Sequence, residues 1–318
     1  METVPCPISN SMEFSPWLQV PDRFDSTGIM SWQIVQSCAS GLLMLNPRPD
    51  SFESTSHYRN GPYEPYLQKS SNSSLGERVY LAARSLLLRY RASLILNEAV
   101  KPFERLSILE IGCATGELLN FFHRSKAIPL RNLAGVEPDA ASAGYAQKVF
   151  GLRVSPFLQV GYPDTFDRIV LWHTLEHLHK LHETLDGVAS LLEPDGVLVI
   201  ALPNPASYGA NYYRENWVAW DAPRHLFHFM PETLEKLLEV HHLHLFKRLP
   251  YLPDALYNTF YSEKLRCKRA GLRFHLLQRA IALGAATISL GKETLWPKEA
   301  SSFIYFARKT GHKKEHQE

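Results

Sequence analysis

Ser107-Ile108-Leu109-Glu110-Ile111-Gly112-Cys113-Ala114-Thr115-Gly116-Glu117 is the stretch that decides how this chain is built. It reads as a short apolar strand running into a glycine-bearing turn, which opens a helix at Leu118-Leu119-Asn120-Phe121-Phe122. Gly112 and Gly116 carry no side chain, so a ligand can come close to the backbone there. The first N–H groups of the helix have no partner within it and face the same space. Downstream, Leu133-Ala134-Gly135-Val136-Glu137 reads as a second strand ending in a carboxylate, 25 positions after Gly112. That is close to the strand, turn, helix, strand and acid spacing of a nucleoside site. A dinucleotide fingerprint from Gly112 would need glycines at 114 and 117, where Ala114 and Glu117 stand, and the Gly-Lys-Ser/Thr of a P-loop is missing. The pattern is instead E-x-G-x-A-x-G. An acid two residues before the first glycine suits a ligand with a cationic or amine-bearing tail and repels a pyrophosphate.

At this point the sequence resembles the class I S-adenosylmethionine-dependent methyltransferases, whose glycine turn has the form (D/E)-x-G-x-x-x-G. The resemblance implies S-adenosyl-L-methionine as cofactor, with the Gly112–Gly116 turn against its methionine part and Glu137 bonding the ribose hydroxyls. The cofactor site it implies consists of Glu110, Gly112, Cys113, Gly116, Glu137, Pro138 and Trp172. The likeness continues: a buried parallel strand over Thr165–His173 is followed by Leu175-Glu176-His177, and then by a helix with Leu181, Leu185, Val188, Leu191 and Leu192 at helical spacing. Glu193-Pro194-Asp195-Gly196 reads as the stop, and Val197–Asn204 as the next strand. This order is similar to a branch that includes quinone-biosynthesis O-methyltransferases. Trp217 to Phe229 resembles the W-x-x-x-x-x-P-x-H-L-x-x-F block of that branch.

Bulk properties agree. The 318 residues are 45% hydrophobic and 11% aromatic, ample for a buried core. A net charge of +2 gives no strong field for nucleic acid, and no N-P-P-[YF] motif occurs. Cys6, Cys38, Cys113 and Cys267 form no disulfide framework, which favours a reducing, cytoplasmic setting. Glu2 and Glu13 and the lack of an apolar core near the N-terminus speak against a signal peptide. The longest apolar stretch, Ala280 to Gly291, is too short for a membrane span and is expected to pack on the core.

The expected organisation is an α/β, Rossmann-like, seven-stranded and mostly parallel sheet with helices on both faces, plus a small irregular N-terminal lobe. Residues 1–70 are the lobe, 75–245 the methyltransferase core, and 246–318 a helical addition with the last strand of the sheet. An amphipathic helix over about 75–100 has Leu75, Val79, Ala82, Leu86 and Leu87 on one side and Arg78, Arg84, Arg89 and Arg91 on the other. Pro231 to Val240 reads as a helix, Leu243–Leu249 as a strand, and Ser302–Ala307 as the final strand, which the family inserts beside its neighbours. In the lobe, Cys6-Pro7-Ile8-Ser9 and Ser37-Cys38-Ala39-Ser40-Gly41-Leu42 resemble the two knuckles of a zinc ribbon, followed by Asn46-Pro47-Arg48-Pro49. Only Cys6 matches a ligand position; Ser9, Ser37 and Ser40 stand at the others, and hydroxyls are poor zinc ligands beside thiolates. A ribbon that has lost its metal is the expectation, and no metal is assigned elsewhere.

Methyl transfer to oxygen or carbon needs an aligned acceptor and often a base. The candidates are His173, His177, His225 and His228, with His225 and His173 put forward as catalytic. His173 ends a strand at the edge where open α/β sheets place ligands. His177 can equally brace a helix and His228 can pack beside Phe227 and Phe229. His241, His242 and His244 match no zinc spacing. Tyr208, Tyr212, Tyr213, Trp217 and Trp220 are as well suited to a loop packed on the sheet edge as to a wall over an acceptor pocket. The expected activity is methyl transfer to a small-molecule acceptor by a protein without a membrane span and without nucleic acid as partner. The competing reading is a non-catalytic protein that keeps the fold to bind a partner or only the cofactor.

Overall fold

A computed structural model of the chain describes residues 1–25, 30–59, 75–97, 101–158 and 165–311, with side chains left aside at 59 and 75–83. Its elements in chain order are β1 Phe14–Pro21, β2 Ser31–Ser37, β3 Leu43–Leu45, α1 Ser51–Arg59 and α2 Leu75–Ile95, then β4 Ile108–Ile111 and α3 Glu117–Lys126. Next come β5 Leu133–Val136, α4 Ala140–Phe150, β6 Arg153–Ser155, β7 Phe166–Trp172, α5 Leu181–Leu191 and β8 Leu192–Pro203. The chain closes with α6 Tyr208–Tyr213, β9 Phe227–His228, α7 Pro231–Val240, β10 Leu243–Pro250, α8 Pro253–Arg269, α9 Leu276–Leu295 and β11 Ser302–Lys309.

The seven-stranded sheet has the order β10-β11-β8-β7-β4-β5-β6. The β4–β5, β4–β7 and β5–β6 pairs are parallel, with Glu110 opposite Gly135 and Val170. This is the expected Rossmann-like sheet, and β11 does insert between β10 and β8. β4, β5 and β7 are buried at every position, as continuous apolar strands covered on both faces must be.

Two compact units make up the chain, and neither follows its order: one holds Met1–Gly61, His173–His182 and Ile200–Tyr305, the other Pro62–Trp172, Glu183–Val199 and Phe306–Glu318. The second unit contains β4 to β7. There Asp167, at the start of β7, accepts from the Ser107 N–H at 2.9 Å and fixes where β4 begins. Arg168 donates from Nε to the Ile95 carbonyl at 3.2 Å, satisfying an end of α2 that lacks a partner within the helix. α2 stops at Ile95, short of the expected 100. Leu86 and Leu87, assigned to its apolar side, are exposed, and Ala92 and Ile95 are buried instead. β8 begins at Leu192 and runs through Glu193–Gly196, so the expected stop lies inside a strand.

The first unit departs further from expectation. Its N-terminal part is not irregular: β1, β2, β3 and β9 form an antiparallel sheet, with Leu43 opposite His228 and Met44 opposite Phe227. Proline and serine at strand ends and turns hide this sheet from a reading by alternation. Arg224, fully buried, ties the unit's segments together through Asp22 at 2.8 Å and Asp221 at 2.7 Å, and lies over the Phe24 ring. The aromatic segment packs as core: Tyr213, Trp217 and Trp220 are buried, Tyr213 donates to Glu263 at 2.9 Å, and Tyr212 remains exposed. The stretch Ala280–Gly291 does not pack on the core as expected. It forms the middle of α9, of which only Ala282, Ala286, Ser289 and Glu293 are buried.

Candidate cofactor turn and histidine cluster

In the second unit, the turn after β4 is clamped to the end of β5. The Gly112 and Cys113 N–H groups both donate to the Val136 carbonyl, at 2.8 and 3.1 Å, and Gly116 N–H donates to the Cys113 carbonyl at 2.8 Å. Gly112 and Gly116 have φ of 77° and 75°, and Ala114 joins them on the left-handed side at 46°. A Cβ at Gly116 would also stand 2.6 Å from Leu152 Cδ1 and 3.0 Å from Ala146 Cβ, so this position requires glycine twice over. Gly135 admits the turn from below, because a Cβ there would fall 2.5 Å from Cys113 Sγ.

Glu137 braces the same turn. Its Oε2 accepts from Ala114 N–H at 2.9 Å and its Oε1 from Asp139 N–H at 2.8 Å. Burial pushes its carboxyl pKa up, against the lowering effect of those two N–H groups. Each oxygen keeps a second lone pair, so a hydroxyl pair can still be bonded. Pro138, exposed, separates Glu137 from Asp139, which caps α4 by accepting from Ser142 N–H at 2.9 Å.

Glu110 is the least satisfied group of the turn. It is buried, its Oε2 has no hydrogen-bond partner, and its pKa is raised to about 8 by burial, opposed by the Arg91 charge and reinforced by that of Glu137. Arg91 lies over the Trp172 ring, 4.9 Å from its centroid, at the end of β7. Cys113 is buried with its thiol pushed upward by burial and by Glu110 and Glu137, which makes it a packing residue rather than a nucleophile. Of the expected cofactor residues, then, Glu110, Gly112, Cys113, Gly116 and Glu137 form one feature of this unit, while Trp172 ends β7 and Pro138 lies two residues past the end of β5.

The first unit brings histidines together. His173, φ 49°, has Nε2 at 3.0 Å from Asp254 and Nδ1 at 3.5 Å from Glu176. Burial lowers its pKa, but Asp254 and then Glu176 overcome this and raise it to about 9. An imidazole held protonated at neutral pH is a cation, not a base. His225 is the opposite case. Its Nδ1 donates to the Ala219 carbonyl at 2.8 Å, leaving Nε2 with the lone pair, and burial followed by the His177 and His228 charges holds its pKa well below the usual value. His177 stands edge-on to it with centroids 4.6 Å apart, its own Nδ1 at 3.0 Å from the Arg224 carbonyl and 2.9 Å from the Tyr58 hydroxyl. His228 is pushed down to about 3 by burial and packs edge-on against Trp220.

Glu176, which the sequence reading did not single out, is 1% exposed; beyond the His173 ring at 3.5 Å, its carboxylate has no close hydrogen-bond partner. One donor atom each from Glu176, His177 and His225 lie within 4.8 Å of one another, a set able to hold a divalent cation or a polar group. The signal for Glu176 was its place beside His177 in the Leu-Glu-His run; Asp254, in a segment without a motif, gave none. His242 and His244 are exposed, while His241 is buried and meets His182 at 2.9 Å. In the N-terminal part, Cys6 Sγ lies 3.1 Å from Ser40 Oγ, and Ser9 Oγ 3.4 Å from Ser37 Oγ, while Cys38 is exposed. The four described cysteines are all free thiols.

A parallel α/β sheet with a glycine turn at the end of one strand and an acid at the end of the next defines a nucleoside-binding Rossmann-like protein. A family model described as a methyltransferase domain matches residues 81–245, more than half of the chain, and the chain belongs to that family. It is similar to the ubiquinone biosynthesis O-methyltransferases of Rhodopseudomonas palustris strains BisB5 and HaA2, at 25% and 26% identity over 131 residues. These matches cover 36% of this chain, and the chain spans about half the length of the curated relatives it matches, 50% of each. Among solved structures, a mycolic acid cyclopropane synthase crystallised with SAH and CTAB shares the fold, with a TM-score of 0.50, 13% identity, and coverage of 82% of this chain and 98% of that one.

Proposed function

We propose that the protein transfers a methyl group from S-adenosyl-L-methionine to a hydroxyl of a small-molecule acceptor. The observation that carries the cofactor assignment is the orphaned Glu110 Oε2, buried beside a glycine turn, which a donor on the ligand would complete and which a cationic or amine-bearing group completes best. S-adenosyl-L-methionine fits these residues, and when bound it supplies a methyl group already activated on a sulfonium. Glu110 would hold its cationic tail, and the turn from Gly112 to Gly116 would lie along it. Glu137 would accept from its ribose hydroxyls while continuing to brace Ala114. Trp172 and Cys113 would exclude water from the apolar side.

His225 would take the acceptor's proton at Nε2, since its Nδ1 is committed to Ala219 and its pKa keeps it neutral. His173, charged through Asp254, would position rather than abstract. Oxygen as the target is supported by the names of the curated relatives and by the presence of a neutral base.

Calorimetry with S-adenosylhomocysteine tests the cofactor reading, and methyl transfer from labelled cofactor to a panel of phenols tests the rest. We expect binding that Glu137→Ala weakens about tenfold or more, as loss of a charged hydrogen bond does. Failure of the folded protein to bind S-adenosylhomocysteine would refute the proposal.

A further inference from the structure

α9 is amphipathic in the wrong direction for a helix folded onto a core. Its buried stripe is Ala282, Ala286, Ser289 and Glu293, four residues that offer little apolar surface. Glu293 is there because it accepts from the Ser301 N–H at 2.9 Å and from the Ser289 hydroxyl at 3.2 Å, anchoring the helix end next to β11. The side turned to solvent carries Leu276, Leu277, Ile281, Leu283, Ile288 and Leu295, exposed between 52% and 82%, with Ala280, Gly284 and Gly291 among them. Apolar patches of this kind are rare on a protein that stays alone in water.

Charge says what covers it. Between Lys264 and Lys298, eight lysines and arginines stand against one acid, Glu293, in a chain whose total net charge is only +2. Glu293 is fully buried, so the exposed surface between these residues carries no acidic group, and Glu299, next to Lys298, is the exposed acid that borders it. Arg273 and Arg279 are exposed at the start of α9, and Lys298 just past its end, beside the exposed Trp296. A second copy docking by the same face would bring cations against cations, since a two-fold contact pairs a patch with itself. No helix among the described residues is long and apolar enough to cross a membrane. An apolar face rimmed by cations and a tryptophan is instead what lies flat in the headgroup layer of an anionic bilayer.

We propose that the outer face of α9, with the cations around it, docks the protein onto the surface of an anionic lipid bilayer. The inference does not depend on the methyltransferase reading. The test is co-sedimentation of the full chain with vesicles of phosphatidylcholine containing roughly one third phosphatidylglycerol, against phosphatidylcholine alone. Two double variants accompany it, Leu277→Glu with Ile288→Glu and Arg273→Glu with Arg279→Glu, each checked for folding by circular dichroism. The wild type is expected to sediment with the anionic vesicles, about tenfold more weakly with the neutral ones, and each variant to lose about tenfold or more. Wild type left in the supernatant with anionic vesicles, or binding equally with the variants, would overturn the proposal. So would a dimer by light scattering that Leu277→Glu with Ile288→Glu splits. The arginine pair keeps the test decisive should the apolar pair misfold.

Discussion

At the scale of single residues, two of the groups shifted far from their usual range, Glu110 and His173, each make a measurable claim. Glu110 has a folded pKa near 8 against an ordinary 4.5, so the free protein holds a proton there that the unfolded chain releases. The sign follows: this proton favours the fold fully below pH 4.5, and the advantage is lost as pH rises through 8. A cationic ligand needs the ionised form. Affinity for S-adenosylhomocysteine is therefore expected to rise with pH between 6 and 8, by up to about tenfold per unit, and Glu110→Gln to flatten that slope. Calorimetry across that range reads both. His173 runs the same way at a different place, with a folded value near 9 against 6.5. Its pairing with Asp254 stabilises the protein fully below pH 6.5 and fades as pH passes 9. Asp254→Asn is expected to cost of order 1–3 kcal/mol at pH 6 in denaturant unfolding, and to bring the His173 titration seen by NMR down by more than a unit.

At the scale of elements, what the sequence disclosed depended on whether the cause was local. The turn at Gly112 to Gly116 was legible because positive φ and close packing admit few residues. α7 was legible to the residue at both ends, with Pro231 at its first position and a strong apolar side. α9 was misread because hydrophobicity alone does not say which way a helix faces; that was fixed by Glu293 reaching Ser301, a contact no pattern announces. The β1–β2–β3 sheet was missed although its pairings are local, because proline and serine at its strand ends and turns break the alternation; only its closure by β9 joins residues far apart in the chain. The knuckle-like positions lie between these cases. Cys6, Ser9, Ser37 and Ser40 do converge in pairs, Cys6 with Ser40 and Ser9 with Ser37. Three thiols in place of the three hydroxyls would complete a four-sulfur set of the kind that holds structural zinc. The triple variant Ser9→Cys, Ser37→Cys, Ser40→Cys is expected to bind about one zinc per chain by metal analysis and to release it to a chelator, whereas the wild-type lobe is not.

At the scale of the molecule, a unit assembled from three separated segments needs something to hold them, and sequence motifs do not report it. In the first unit that role falls to Arg224, from the Pro-Arg-His-Leu run in which the sequence drew attention only to the histidine. Its guanidinium is fully buried and meets Asp22 from the beginning of the chain and Asp221 from its own turn, while Arg23 reaches Asp221 from beside Asp22 at 2.8 Å. The backbone of the same turn also holds the proposed base: the Arg224 carbonyl accepts from Nδ1 of His177, and the neighbouring His225 has its Nδ1 committed to the Ala219 carbonyl. Removing the guanidinium deprives Asp22 of its close cation and leaves Asp221 with Arg23 alone, and a broken buried pair typically costs about 3–5 kcal/mol. Arg224→Met, which keeps the length of the side chain but not its donors, is therefore expected to lower the unfolding free energy by about that amount and to show a lower Tm by calorimetry. Arg224→Lys keeps the charge but loses the fork that spans Asp22 and Asp221, and should recover only part of the loss. The pair separates two roles that one substitution would confuse. If Arg224→Lys restores stability fully while activity stays low, the guanidinium serves the placement of His177 and His225; if both recover together, its contribution is to hold the segments.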